Sequence, residues 1–167
     1  ARVLDAGAST GGFTQVLLSR GAETVYAVDV GHDQLAPIVR ADPRVRVREG
    51  LNLRDLRVAD LDDEPVDLIV ADVSFISLRM LLEPLFAVLK PTGNAMLMIK
   101  PQFEVGRDRL GAGGVVRLES DRQAVISQII GDAAALGWDP IWRADSELPG
   151  SAGNVEHFVC FAKRPPA

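Results

Sequence analysis

Three charged residues stand where apolar segments end: Asp72 in Ala71-Asp72-Val73-Ser74-Phe75, Lys100 in Ile99-Lys100-Pro101-Gln102-Phe103, and Glu156 in Asn154-Val155-Glu156-His157-Phe158. A lysine flanked by two carboxylates in a partly dry site can hold an alcohol, help remove its proton and stabilise the developing alkoxide. That set suits methyl transfer to a ribose hydroxyl. Such a hydroxyl is a very weak acid, so in-line attack on a sulfonium methyl needs alignment and charge stabilisation but neither a metal nor a covalent intermediate. The competing account makes Lys100 and Glu156 unrelated polar ends of strands.

A second constellation lies near the start. The turn Gly7-Ala8-Ser9-Thr10-Gly11-Gly12 follows an apolar strand and opens a helix, and Asp29 closes the next strand 22 positions after Gly7. Glycines let the backbone approach a ligand, and an acid at that distance suits the two hydroxyls of an adenosine ribose. Both features fit any adenosine cofactor. Ser9 stands where a dinucleotide fingerprint wants its second glycine, which disfavours a pyrophosphate; S-adenosylmethionine carries no phosphate and tolerates the change. A plain tight turn of an α/β domain is the bland alternative.

The elements that must position these residues alternate along the whole chain, as in a parallel sheet with crossover helices. Strands are expected at 3–6, 24–29, 44–48, 66–72, 95–100, 139–144 and 155–162. The strict alternation of Arg44-Val45-Arg46-Val47-Arg48 suits a strand at or near a sheet edge, and the apolar run 66–72 suits a central one. The first helix places Phe13, Val16 and Leu17 on successive turns and stops near Gly21. Further helices are expected at 34–40, 77–90 and 119–136, with a turn at Pro91-Thr92-Gly93. In open α/β sheets ligands sit beyond the carboxyl ends of the strands, where these charged residues fall. Residues 101–115 form a long loop holding Gly106, Gly111, Gly113 and Gly114, and a loop of that length is usually functional.

The 167 residues, 47% hydrophobic and 25% charged, fit one globular domain and exclude a disordered tail. The single cysteine, Cys160, cannot form an internal disulfide, so a reducing cytoplasm is expected. No apolar stretch approaches the ~20 residues of a membrane span. The net charge of −5 has the wrong sign for a domain that only grips phosphate backbones. Arg2 to Gly7 reads as a core strand with nothing in front of it, as in a chain that lacks upstream sequence.

Four strings in order carry a resemblance: Leu4-Asp5-Ala6-Gly7-Ala8-Ser9-Thr10-Gly11-Gly12-Phe13-Thr14, Ala71-Asp72-Val73-Ser74-Phe75-Ile76-Ser77, Lys100-Pro101-Gln102-Phe103-Glu104-Val105-Gly106 and Gly153-Asn154-Val155-Glu156. They resemble the TlyA (hemolysin A) family, within the FtsJ-like RNA ribose methyltransferases, over the whole chain. The resemblance implies a Rossmann-like methyltransferase domain over residues 1–167: a seven-stranded, mostly parallel sheet, last strand antiparallel, helices on both faces. It implies S-adenosylmethionine-dependent 2′-O-methylation of ribosomal RNA by a Lys-Asp-Lys-Glu tetrad, whose last three positions fall on Asp72, Lys100 and Glu156. The family's first lysine, first helix and small S4-type RNA-binding domain lie upstream of this chain's first residue, so ribosomal RNA or ribosomal subunits would be gripped mainly by the part absent here. By the same resemblance the cofactor lies along Gly7, Ser9, Thr10, Gly11 and Phe13, with Asp29 on the ribose. Asn52 and Asp72 would face its adenine and methionine portions.

Rival chemistries fit less well. Asp72-Val73-Ser74-Phe75 lacks the paired prolines of a base-directed amino methyltransferase. Cys160 reads as a core residue rather than a nucleophile. His32 and His157, with one distant cysteine, cannot build a zinc site, and His157 alternates with Glu156, so it points away from the site. The arginine stripe 44–48 reads as a solvated face, Arg107, Arg109, Arg117 and Arg122 around the long loop are equally phosphate contacts or exposed polar residues, and Trp138 and Trp142 read as packing residues. Two different classes stay open beside the enzyme: a hemolysin-type cytolysin, for which no amphipathic or spanning element is visible, and a nonenzymatic S-adenosylmethionine-binding module.

Overall fold

Alternate side chains of the first strand go to opposite layers, and this splits the interior in two. The computed structural model describes residues 1–167. In β1 (Arg2–Ala6), Leu4 and Ala6 join a cluster of 28 buried residues, whereas Val3 joins a separate cluster of 9. The larger layer contains side chains of α3 (Leu82–Ala87) and α4 (Glu119–Ala135). The smaller lies under α1 (Gly12–Ser19) and α2 (Pro37–Arg40). Helices therefore cover both faces, as the period-two side-chain alternation of buried strands requires.

The remaining strands are β2 (Thr24–Val28), β3 (Val45–Arg48), β4 (Val66–Ala71), β5 (Leu89–Ile99), β6 (Trp138–Asp145) and β7 (His157–Lys163). They form one seven-stranded sheet in the order β3-β2-β1-β4-β5-β7-β6. Pairs from β3 through β5 are parallel, and β7 runs antiparallel between β5 and β6. The expected sheet is the observed one, including the edge position of β3. The chain order reverses between β1 and β4, so the ends of these neighbours open a crevice.

Several boundaries differ for identifiable reasons. Pro37 holds Ala36 in an extended conformation, so the helix expected from Gln34 is one turn long. Pro84 has no N–H for the carbonyl four residues back, and the expected 77–90 helix divides into a 3-10 turn, Leu78–Met80, and α3. The expected turn at Pro91-Thr92-Gly93 lies inside β5: Val66 pairs with Leu89 but Leu68 with Asn94, so these residues bulge from the ladder. In α1 the buried positions are Thr14 and Leu18, and Val16 is exposed, because the Thr14 hydroxyl turns inward to donate to Asp5 at 2.6 Å. Trp138 packs as expected, stacked on Phe86 with centroids 4.7 Å apart, but Trp142 on the edge strand β6 is 51% exposed.

Candidate functional site

The glycine-rich turn is folded tightly onto its neighbours. Gly7 N and Ala8 N both donate to Val28 O, at 2.9 and 3.0 Å, and fasten the end of β1 to the end of β2. Gly7 has φ +79°, and a Cβ there would overlap the backbone carbonyl of Asp72. Both facts require glycine. Ser9 takes a left-handed φ of 50°, and its N–H donates to Asp29 Oδ2 at 2.7 Å. The other oxygen of Asp29 accepts from Gly31 N at 2.9 Å. A carboxylate has about four lone-pair directions, so Asp29 braces the turn and still has capacity for ligand hydroxyls.

Beyond these strand ends lies a cleft of about 520 Å³. Gly7, Ser9, Asp29, Asn52 and Asp72 line it, together with apolar side chains that include Val30, Leu51, Leu53 and Ile76. The structure brings these five expected residues together. Thr10, Gly11 and Phe13 belong to the same turn and helix start but do not line the cleft. A Cβ at Gly11 would meet Leu35 and Val39, and Thr10 O accepts from Ala36 N at 2.9 Å, so both serve the packing of α2. Asn52 has a second task, since its Oδ1 accepts from Arg54 N at 3.0 Å and caps a 3-10 turn. Val30 went unread in the sequence; the available signal was an apolar residue directly after the acid that follows β2.

At one end of the cleft the charged residues meet. Lys100 Nζ lies 2.5 Å from Asp72 Oδ1. This is a charge contact without hydrogen-bond alignment: Asp72 Oδ1 has no hydrogen-bond partner, and Lys100 Nζ donates to Ser74 Oγ at 3.1 Å. Glu156, 7% exposed, sits close enough to feel both charges. Burial pushes its carboxyl above the usual range, opposed by the Lys100 charge and assisted by that of Asp72. Lys100 thus touches Asp72 directly, and Glu156 lies within reach of the charge of both. Phe75, 89% exposed with φ 65°, stands at the mouth against Phe103, centroids 4.9 Å apart.

Other candidates stand apart. Cys160 is half-buried in β7, and burial pushes its thiol up, the wrong direction for a nucleophile. His157 is buried against Asp145 at 2.7 Å. Two arginines of the stripe are drawn into local ion pairs, Arg44 with Asp42 at 2.7 Å and Arg48 with Asp62 at 3.1 Å, while exposed Arg46 donates to Pro43 O at 2.7 Å. Around the long loop, Arg109 pairs with Asp121 at 2.7 Å and Arg122 with Glu119. Arg107 and Arg117 make no ion pair.

A doubly wound sheet with a glycine turn, an acid ending β2 and charged residues at the ends of β4 and β5 defines an α/β domain of the Rossmann-like methyltransferase class. A family model described as FtsJ-like methyltransferase matches residues 1–163, and the chain belongs to that family. A Mycobacterium tuberculosis protein named 16S/23S rRNA (cytidine-2′-O)-methyltransferase TlyA is 48% identical, over 95% of this chain and 59% of its own length. A Brachyspira hyodysenteriae protein named Hemolysin A is 39% identical, over 95% of this chain and 66% of its own length. This chain thus spans about three fifths of the relatives it matches. A crystal structure from Lactococcus lactis carrying a hemolysin name superposes with a TM-score of 0.92 at 42% identity, covering 96% of this chain and 76% of that one. The N-methyltransferase NodS from Bradyrhizobium japonicum shares the fold, with a TM-score of 0.70 at 17% identity over 99% of this chain and 86% of its own.

Proposed function

We propose that this domain transfers a methyl group from S-adenosylmethionine to a ribose 2′-hydroxyl of ribosomal RNA, in the cytoplasm. The observation that carries the reading is the Lys100–Asp72 contact, with buried Glu156 beside it, at the end of a cleft that also holds Gly7, Ser9 and Asp29. The name of the Mycobacterium tuberculosis relative describes ribose 2′-O-methylation of ribosomal RNA.

The cleft fits the cofactor on its own features. Its volume suits an adenosine-sized ligand, its apolar side chains suit a planar base, and at Gly7 a side chain would fill the space against Asp72. Asp29 would hold the ribose, the Gly7–Ser9 backbone the adjacent chain, and Asn52 with Val30 the base. When bound, S-adenosylmethionine supplies an electrophilic methyl group on a sulfonium.

The residues of the chain do the rest by position and charge. Lys100 holds the attacking hydroxyl oxygen and offsets the negative charge that grows on it. Asp72, in contact with Lys100 and lining the cleft, ties the cofactor side to the alcohol side. Glu156 stands ready to take the proton relayed by Lys100 as the oxygen–carbon bond forms. Phe75 and Phe103 offer an apolar surface to a base unstacked for reaction. The acidic balance and the paired arginines leave this domain a weak grip on phosphate, and we place much of the RNA affinity in the part of the protein outside these 167 residues.

The test is tritiated methyl transfer from S-adenosylmethionine to unmethylated ribosomal subunits by the full-length protein and its Lys100→Ala variant, with nuclease digestion to locate the label. Label on a ribose, lost in the variant, is expected. Label on a base overturns the chemistry, and unchanged transfer by the variant returns the domain to a cofactor-binding module. The support for a cytolysin is the hemolysin name that one relative and a similar solved structure carry, and no helix of this chain is long and apolar enough to cross a membrane.

A further inference from the structure

Gly150 is a glycine without a conformational reason. Its backbone has φ −80° and ψ −165°, extended values open to any residue. What excludes a side chain is Glu156: a Cβ at Gly150 would overlap the Glu156 carboxylate. The surrounding loop is held in place from several directions. Gly150 N donates to Asn154 O at 2.8 Å, and Ser146 N to Glu156 O at 2.8 Å. The side chain of Asn154, 2% exposed, accepts from Val116 N at 2.9 Å and donates to Gly114 O at 3.1 Å and Ser151 O at 2.9 Å. Gln102, two residues after Lys100, donates to Ser151 Oγ at 3.2 Å. The bare α-carbon is therefore pinned to the long loop and to the segment that follows Lys100. The backbone is tied down and the carboxylate is the far end of a flexible side chain, so an overlap is relieved by moving the carboxylate.

We propose that Gly150 is a positioning residue whose bare α-carbon forms the bed for the Glu156 carboxylate and so sets where that group stands beside Lys100 and Asp72. The inference rests on the methyl-transfer reading above. A displacement of about 1 Å at a reacting group costs on the order of 100-fold in rate, and a methyl group on this bed moves the carboxylate by at least that much.

The experiment uses the full-length protein in four forms: wild type, Gly150→Ala, Glu156→Asp and the double variant. Rates come from methyl transfer to unmethylated ribosomal subunits, and S-adenosylmethionine affinity from calorimetry. Gly150→Ala is expected to lower kcat ~100-fold with cofactor Kd and Tm unchanged. Glu156→Asp withdraws the carboxylate by one methylene and leaves, at the Cγ position 2.8 Å from the added methyl, a contact that a small turn of the shorter side chain relieves, so the double variant should stay close to Glu156→Asp alone. Wild-type kcat in Gly150→Ala, or losses that multiply in the double variant, overturns the proposal. Should Gly150→Ala fail to fold, the same substitution in a Glu156→Ala background decides: normal melting supports the bed, and unfolding there as well shows that the glycine serves the fold. If the wild type labels no ribose, the functional reading fails separately. The Glu156 carboxyl titration, followed by NMR, then decides the positioning: a move toward the ordinary carboxylate range in Gly150→Ala supports it, and an unchanged titration refutes it.

Discussion

The carboxylate of Glu104 accepts the Ser77 hydroxyl at 2.5 Å and the Leu78 N–H at 2.8 Å, joining the segment after β4 to the segment after β5. The first of these segments carries Asp72 and the second Lys100, so the bolt fixes the spacing of two residues that neither strand alone determines. Burial pushes the Glu104 carboxyl above its usual range, opposed by the two hydrogen bonds. Removing one partner from a buried hydrogen-bonded pair costs about 1–3 kcal/mol. Glu104→Ala is therefore expected to destabilise the protein by about 2 kcal/mol and to lower kcat more than it weakens cofactor binding. Denaturant melts and paired kinetic and calorimetric measurements check this; an equal loss in both would place Glu104 at the cofactor.

Lys100 makes the sharpest division between binding and chemistry. It does not line the cofactor cleft, yet it touches Asp72, which does. Lys100→Ala should nearly abolish ribose methylation, a loss of ~10²- to 10³-fold for a group that stabilises transition-state charge. Cofactor affinity should stay within a few-fold of wild type. Calorimetry beside the methyl-transfer assay reads both, and loss of cofactor binding would move Lys100 out of the role given to it.

Much of this was legible from the chain, for a physical reason. Asp72 and Lys100 follow apolar strands, Glu156 immediately precedes one, and in a doubly wound sheet strand ends converge, so position along the sequence translated into position in space. Gly7 and Asp29 were legible because a positive φ and a ribose-binding acid each restrict residue type. Gly150 was hidden: its backbone is ordinary, and its constraint comes from a side chain six residues later that folds back upon it. The task of Glu104 was hidden as well, because the hydrogen bonds it makes to Ser77 and Leu78 span more than twenty residues. The inward face of α1 was missed because a threonine, not an apolar residue, was recruited by buried Asp5. Periodicity read from hydrophobic residues alone cannot see such a choice.

Asp29 holds the turn open as well as facing the cleft, and its replacement should show both tasks. Asp29→Ala removes the acceptor of Ser9 N–H, which steadies a left-handed serine, and the group assigned to the ribose. Charge-assisted hydrogen bonds contribute about 1.5–3 kcal/mol each, so affinity for S-adenosylmethionine should fall by about 10- to 100-fold. With cofactor at saturation kcat should change little. Calorimetry and a cofactor titration of the rate test this, and an unchanged Kd would refute the assignment.

Glu156 sets the acid limb of the reaction. It must be ionised to take a proton, and burial raises its carboxyl above the ordinary range. A raised pKa means that protonation, and with it the loss of rate, begins at a higher pH than for an exposed glutamate. Kcat should fall on acidification through a single step above the usual carboxylate range, and Glu156→Gln should be slow and flat over the same window. A limb at the ordinary glutamate value would show that Glu156 is hydrated in the working enzyme.

Asp5 gives the fold its own pH dependence, separate from catalysis. It is buried in β1, where Oδ2 accepts from Thr14 and Oδ1 has no partner. Burial lifts its carboxyl from 3.8 to about 6, partly offset by the Thr14 hydrogen bonds and reinforced by the charges of Asp72 and Asp29. The fold thus favours the protonated acid. Its contribution is complete below the unfolded value of 3.8 and is lost as pH rises through about 6. The loss is on the order of 3 kcal/mol at neutral pH, at 1.36 kcal/mol per unit. Unfolding free energy measured in denaturant should accordingly gain a downward component between pH 4 and 7 that Asp5→Asn removes. The slope is the diagnostic quantity, because asparagine keeps an acceptor for Thr14 but adds a buried donor and so changes the absolute stability as well. The same slope in wild type and variant would mean that Asp5 is neutralised by some other route in the native protein.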